Sequence, residues 1–271
     1  AINNQLTYNV SLNGGHYTNQ VINIDANSST FVGGAGSRIG DITRTQAGYP
    51  ISQYFGYISD GVIKTEAELP ATRGDAKVGR LKFRDLNNDG VINDQDLTVI
   101  GSPIPKLTYG LNVNLNYRNF DFTMFFQGVY GNQIFNYVRY FTDFPAFQAN
   151  YSKNMLYKAG DTYPVLDAND NYSSQRSSFY VEPGSYFRAR NMTLGYVLPM
   201  GLVSKIGIDR ARVYVQAQNL FTISRYSGLD PDITIQNITE GFNSRRDLSM
   251  GVDFGRYPIS RQIYFGLNLE L

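Results

Sequence analysis

Cysteine is absent from the 271 residues. That excludes a disulfide frame, thiolate catalysis and cysteine-ligated zinc or iron–sulfur centres. Tryptophan is absent too, and histidine occurs once, as His16. Multi-histidine metal sites are therefore excluded, and a catalytic triad would have a single candidate base. No charge dominates: 24 Lys and Arg face 23 Asp and Glu. This balance provides neither a basic surface for nucleic acid nor an acidic tail. No run approaches the ~18 apolar residues of a membrane-spanning helix. The opening stretch, Ala1 to Gln5, has neither the basic nor the apolar region of a signal peptide.

What is present is Tyr (21) and Phe (17) in quantity, with abundant Gly and Asn, a composition of strands and polar turns. The dominant pattern is alternation with period two, the mark of a strand with unlike faces. From Lys106 to Arg118 the residues Leu107, Tyr109, Leu111, Val113, Leu115 and Tyr117 fall on one face. Asn112, Asn114 and Asn116 share the other with Thr108 and Gly110. The same alternation runs through Leu6–Leu12, Phe120–Phe126, Met192–Leu198, Ala211–Gln218 and Ile263–Leu271. The pattern from Lys106 to Arg118 would extend about 43 Å at roughly 3.3 Å per residue. A tilted strand needs only ~9–11 residues to cross a bilayer core. A long-stranded soluble sandwich or β-helix also alternates. The polar faces here, however, are amide and hydroxyl rather than Lys and Glu, which suits a wet lumen: Asn112, Asn114, Asn116, Gln216 and Gln218 are the expected lumen-facing residues.

The connections are unequal. Only Arg118 and Asn119 separate two strands, and Pro199 to Asp209 is short, whereas Gly131–Ser185 and Ser224–Pro258 are long and rich in Asp, Asn, Ser, Tyr and Pro. Short periplasmic turns and long external loops are the habit of outer-membrane barrels. About seven spanning strands are expected, one of them near Tyr49–Tyr57. Seven do not close a bacterial barrel, and open edges in lipid are costly, so the wall is expected to be completed by residues not shown.

One motif carries metal chemistry. Asp85 to Asp96 follows the 12-residue calcium loop: Asp85, Asn87 and Asp89 at positions 1, 3 and 5, Gly90 at the sharp turn, Val91 offering its carbonyl at 7, Asn93 at 9 and Asp96 at 12. Asp in place of Glu at the last position shortens the closing ligand by a methylene. Residues 79–84 before it read as a strand, so a structural Ca²⁺ clip on a loop is expected, against the alternative of an Asx-rich turn that satisfies its own backbone. Other patterns carry less. The glycine run Gly33–Gly40 has Ile39 where a dinucleotide fingerprint needs glycine, and reads as a turn. His16 lies in a turn-like stretch. The carboxylates Asp230 and Asp232 have no spacing that marks acid–base catalysis. Arg188 and Arg190 share the parity of Met192 and Leu194, and would face either lipid headgroups or, through a bulge, the polar side.

In order along nearly the whole chain, several stretches resemble the C-terminal part of SusC/RagA-like TonB-dependent transporters. These are residues 48–57 (Gly-Tyr-Pro-Ile-Ser-Gln-Tyr-Phe-Gly-Tyr) with Asp60-Gly-Val-Ile63, residues 79–101 with the calcium-like loop and Ile100-Gly-Ser-Pro103, and the hairpin 105–133 with Phe120-Asp-Phe-Thr-Met-Phe-Phe-Gln-Gly128. Ser185 to Tyr196, Gln218-Asn-Leu-Phe221 with Tyr226-Ser-Gly-Leu-Asp-Pro231, and the terminal strand 259–271 complete the likeness. The resemblance implies an all-β fold: the C-terminal strands of a large antiparallel transmembrane β-barrel, 22-stranded in that family, with long extracellular loops, one carrying the 85–96 insertion. It implies a bacterial outer-membrane location among outer-membrane lipid and active import of a large nutrient, glycan or peptide, beneath a SusD-like surface lipoprotein. It also implies drive from a TonB complex reached through an N-terminal region. The plug and TonB-engaging segment are not among these residues, and the last residue is Leu271 where barrels often end in an aromatic. No catalytic residue is expected. The competing expectation is a secreted calcium-binding β-protein that binds carbohydrate through loop tyrosines.

Overall fold

A computed structural model describes residues 6–24, 30–33, 38–71, 75–145, 150–233 and 249–270. In chain order the strands are β1 (Leu6–Gly15), β2 (Thr30–Gly33), β3 (Thr43–Gln46), β4 (Gln53–Gly56), β5 (Ser59–Val62), β6 (Leu81–Phe83), β7 (Thr98–Gly101), β8 (Leu107–Tyr117), β9 (Phe120–Tyr130) and β10 (Gln133–Asn136). They continue with β11 (Val181–Pro183), β12 (Tyr186–Val197), β13 (Arg210–Ser224), β14 (Val252–Asp253) and β15 (Gln262–Glu270). Single helical turns are α1 (Arg139–Thr142), α2 (Asn154–Tyr157) and α3 (Met200–Val203).

The long strands form one sheet, in the order β1-β8-β9-β12-β13-β15, antiparallel at every pairing. Their lengths run from 9 residues in β15 to 15 in β13. The register carries each alternation across the sheet, so like meets like. Val113 faces Met124, which faces Met192, then Ala217 and Ile263. On the opposite face Asn9, Asn114, Thr123, Thr193, Gln216 and Tyr264 form a row. A slip of one residue would exchange the faces, so two unlike surroundings specify this register strongly.

The apolar face stays open, with Leu12 75% and Phe265 85% exposed on the edge strands. Its two ends are aromatic. Near the tight turn, Tyr117, Phe120 and Tyr196 align, with the Phe120 and Tyr196 rings 4.6 Å apart. Toward the long connections, Tyr109, Phe126, Phe187 and Phe221 cluster, Phe126 and Phe187 stacking at 5.2 Å. Tyr130 and Leu107 form the last row there. From Tyr117 to Leu107 is about 33 Å of strand, or about 25 Å across a bilayer at ~40° of tilt. That matches the height of an outer-membrane apolar band between its aromatic girdles.

The wall contains six strands among the described residues, and residues 49–57 do not supply a seventh. Ser52 takes a left-handed φ of 54° and Gly48 one of 88°, which ends the extension after a few residues. The short β4 instead pairs with β3 and β7 in a small separate sheet. Tyr54 is fully buried, and its hydroxyl donates to the carbonyls of Gln133 and Gly251.

The long connections fold rather than trail. One core gathers Ile42, Tyr54, Phe135, Tyr137, Phe144, Tyr180 and Val252; a second gathers Tyr57, Val62, Ile63, Leu81, Phe83, Ile92 and Tyr172. The strand β10 links distant loops by pairing antiparallel with β11 and parallel with β14. The other end of the wall stays simple, closed by the Tyr117–Phe120 turn and by the link through α3, whose exit at Asp209 donates to the Glu270 carbonyl.

The two faces make a testable difference. Val113→Arg, in the middle of the apolar band, is expected to cost about 2–4 kcal/mol of stability in bilayers. Asn114→Asp, one residue along on the polar face, is expected to stay within about 0.5 kcal/mol of wild type. Refolding titrations of the two variants into lipid vesicles measure both.

Candidate functional site

The polar face of the sheet is a connected surface. At its tight-turn end Arg212 of β13 reaches Asp121 of β9, with Nε 2.6 Å from Oδ1 and Nη2 2.5 Å from Oδ2. The pair crosses over Gly195 of the intervening β12. A Cβ there would lie 2.3 Å from the Asp121 carboxylate and 2.4 Å from the guanidinium, so glycine is what leaves room for the bridge. Midway, Gln216 Nε2 donates to Asn191 Oδ1 at 2.9 Å. Gln218 lies in register with Asn191 and Gln262. Asn112 lies between Ser11 and Phe125, and Asn116 between Thr7 and Asp121. All five amides expected to face a lumen therefore share one sheet face, and the Arg212–Asp121 pair shares it with them.

A bulge settles the two arginines of β12. The register shifts between Ala189 and Asn191 against both β9 and β13. The extra residue reverses the parity above it. Arg188 consequently sits opposite Gln127 and Thr222 on the polar face, buried to 2% exposure. Its Nη2 donates to Asp230 Oδ1 at 2.6 Å and its Nε to Thr222 at 2.8 Å. Arg190 donates to Gln127 and Asn219 on the same face. Asp232 lies 3.5 Å from both guanidinium groups, and Arg256 donates to its carbonyl. The Asp230 and Asp232 carboxylates are thus anchors that tie a long loop to the wall. The signal available in the sequence was three arginines and two aspartates in stretches that only the fold brings together.

Beyond this anchor a cleft of about 420 Å³ opens between the loops, lined by Asn136, Arg139, Tyr151, Asn154, Tyr163 and Arg256 among others. Its charges are largely spoken for. Arg139 Nε pairs with Asp143 at 2.7 Å and its guanidinium lies 3.8 Å from the Phe179 ring centre. Asp253 accepts from the Tyr226 hydroxyl at 2.6 Å and from the backbone of Gly255 and Arg256. What the cleft offers a ligand is mainly amide, hydroxyl and aromatic ring. Burial, ahead of hydrogen bonding to Asp253, pushes the Tyr226 hydroxyl far above its ordinary range, so it remains a donor.

The 85–96 loop is built from side chains that accept its own backbone. Asp85 takes the N–H groups of Asn88 and Gly90, Asn87 that of Asp89, Asp89 that of Val91, and Asn93 that of Gln95. Asp96, fully buried, takes those of Leu86 and Asn93. Gly90 has φ of 79°, as the turn requires, and Ile92 is buried in the second core. The strand expected before the loop is β6, and the last three loop residues, Asp94–Asp96, form a 3₁₀ turn. Among the described residues no three acidic or histidine side chains form a metal-holding group. His16 donates through Nδ1 to the Lys106 carbonyl at 2.6 Å, at the end of a strand. The glycine run falls partly outside the described residues, as does Leu271.

Losing the Arg188 charge would leave Asp230 buried without its partner. Arg188→Ala is expected to destabilise by about 3–5 kcal/mol, read as a lowered thermal midpoint. Burial acts to raise the Asp230 carboxyl, but the N–H of Asp232 and the Arg188 guanidinium together hold it below its ordinary 3.8. A carboxyl lowered in the folded state stabilises above its unfolded value and loses that contribution as pH falls through the folded one. Proteolysis of the 225–233 loop is therefore expected to accelerate below about pH 4, and much less so in Asp230→Asn.

No family model matches the chain. It is 32% identical over 275 residues to the TonB-dependent receptor P3 of Formosa agariphila, covering 99% of the chain and 27% of that protein. It is 28% identical over 196 residues to the TonB-dependent receptor SusC of Bacteroides thetaiotaomicron, covering 69% of the chain and 17% of SusC. Its fold matches the RagAB peptide transporter with a TM-score of 0.75 at 22% identity, over 99% of the chain and 27% of that one. The chain thus spans about a quarter of the length of P3.

Proposed function

Since the chain belongs to the SusC/RagA-like TonB-dependent receptors of the bacterial outer membrane and corresponds to a C-terminal part of their barrel, we propose that it forms wall and extracellular loops of a nutrient importer. The observation that carries this reading is the pair of unlike faces on one sheet. An open apolar band lies between aromatic rows on one side, and a bonded polar surface lies on the other. In this reading the polar face, with Asn112, Asn114, Asn116, Gln216 and Gln218, lines the lumen, and the folded loops stand outside the cell. A large glycan or peptide passes the loop cleft on its way in. A SusD-like lipoprotein covers the loops, and a TonB complex supplies the drive through a plug and N-terminal region outside these residues. The chain contributes walls and contacts, and no catalytic step. The exposed apolar face argues against the secreted β-protein, since contiguous apolar patches of that size are rare on soluble monomers.

Deleting the full receptor in its host is expected to abolish growth on one class of glycan or peptide while leaving growth on its monomers intact. Restoring the receptor restores growth. A receptor that stays monodisperse without detergent, with no nutrient phenotype on deletion, would rule the importer out.

The 85–96 loop supports a second element of this reading, a structural Ca²⁺. The donors are hard oxygens at the right spacing, and each carboxylate that accepts backbone N–H groups keeps further lone pairs. Asp85, Asn87, Asp89, the Val91 carbonyl, Asn93 and Asp96 would hold the ion, which would clamp the loop onto the second core. Calcium is expected to raise the thermal midpoint of the purified receptor and chelation to lower it. Asp85→Ala combined with Asp89→Ala is expected to erase the difference; an unshifted midpoint in wild type marks the loop as a self-satisfied turn.

A further inference from the structure

The cleft of about 420 Å³ between the loops has two walls of different origin. One comes from the segments around α1 and α2, in the connection that follows β10. The other comes from the connection after β13, through Ser227, Gly228, Leu229, Asp253, Gly255 and Arg256. This second wall is fixed in place. Arg188 holds Asp230, one residue beyond Leu229, and the Arg256 guanidinium donates to the Asp232 carbonyl. A volume of this size between two held walls accommodates a short stretch of a larger ligand.

The charged side chains of the lining are two arginines and two aspartates, so the cleft carries no net charge. Arg139 and Asp143 pair with each other at 2.7 Å. Asp253 is buried beneath the Tyr226 hydroxyl and the N–H groups of Gly255 and Arg256. A peptide is gripped mainly along its main chain by a free strand edge, or at its charged ends. The strand at the cleft, β10, is paired on both sides, by β11 and by β14, and the neutral lining favours neither terminus.

What remains for a ligand is amide, hydroxyl and ring. Asn154 Nδ2 donates to the Tyr163 hydroxyl at 3.1 Å. Tyr163 can then donate its own proton, and Asn154 can accept on Oδ1, side by side. Two neighbouring sugar hydroxyls answer that pattern, because each both donates and accepts. The Tyr163 ring itself is occupied: Phe179 meets it edge-on at 5.2 Å, and the Arg139 guanidinium lies 5.0 Å from its centre. Tyr151 is different. It is 44% exposed at the cleft, and its hydroxyl turns to the Pro145 carbonyl at 3.4 Å, so the ring is what it presents. An open aromatic ring suits the C–H face of a sugar. Arg256 keeps further N–H groups for hydroxyl or ring oxygens.

We propose that this cleft is a subsite for an uncharged saccharide. The Tyr151 ring stacks on a sugar face, Asn154 and Tyr163 bond two adjacent hydroxyls, and Arg256 donates to a further oxygen. The proposal rests on the importer reading and narrows its nutrient to a neutral glycan.

A host lacking the full receptor is grown on neutral glycans, on acidic glycans and on peptides as carbon source, and a loss of growth on a neutral glycan is expected. Oligosaccharides cut from that glycan are then titrated calorimetrically into the purified full receptor. Tyr151→Ala is expected to weaken binding roughly tenfold, and Tyr163→Phe about fivefold. Tyr151→Phe keeps the ring and is expected to bind as wild type. Unchanged thermal midpoints exclude a folding defect. Growth unaffected on every source refutes the importer, and the subsite with it. A defect confined to peptides or acidic glycans leaves the importer standing and overturns the saccharide site, as does equal binding by wild type, Tyr151→Ala and Tyr163→Phe.

Discussion

Backbone amides inside a bilayer have no water to bond, so each must find a partner in the protein. That demand governs the wall. It requires continuous antiparallel ladders, and those ladders lock the register from Leu6 to Glu270. Once register is locked, side chains sort by parity into an apolar and a polar face without further instruction. The single large exception, the bulge in β12, lies where the wall meets its loops. There the broken ladder turns Arg188 and Arg190 toward carboxylates that compensate them. The irregularity therefore falls where an arginine pair can be used, outside the middle of the band.

Two solvents divide the chain into two kinds of order. Within the band each strand contributes alternating residues and the sheet needs no buried core between layers. Above it the loops are in water and must bury apolar surface of their own, which they do around Tyr54, Phe135 and Tyr180 and around Phe83 and Tyr172. Tyrosine serves both settings, as a girdle residue at Tyr117 and Tyr196 and as a hydrogen-bonded core residue at Tyr54 and Tyr226. The same composition that marks strands in the sequence thus also fills the cap.

Period-two alternation was enough to place all six wall strands and the shared face of Asn112, Asn114, Asn116, Gln216 and Gln218, because that signal is local, but it stopped short in β12 and β13, which run on past the bulge. It misled at residues 49–57, where Tyr54 and Phe55 do lie in a strand, the short β4, but one that belongs to a small loop sheet and not to the wall. The loop cores were not legible at all. Ile42, Phe135 and Val252 are far apart in sequence and carry no period, and only closure of the loops brings them together. Likewise the Arg188–Asp230 pair spans 42 residues, and nothing in either segment names its partner.

The band between the two aromatic rows has a further implication for the membrane itself. A lone helix whose apolar length differs from the bilayer can tilt until the two agree. Strands tied edge to edge cannot tilt one by one, because their inclination is shared by every ladder they belong to. The height from the Tyr117 row to the Leu107 row is therefore a rigid gauge. Where lipid thickness disagrees with it, the lipid must stretch or thin, at a cost of fractions of a kcal/mol per Å. A wall of this kind shapes the bilayer next to it, and it favours the neighbours and the membrane whose hydrophobic thickness already matches.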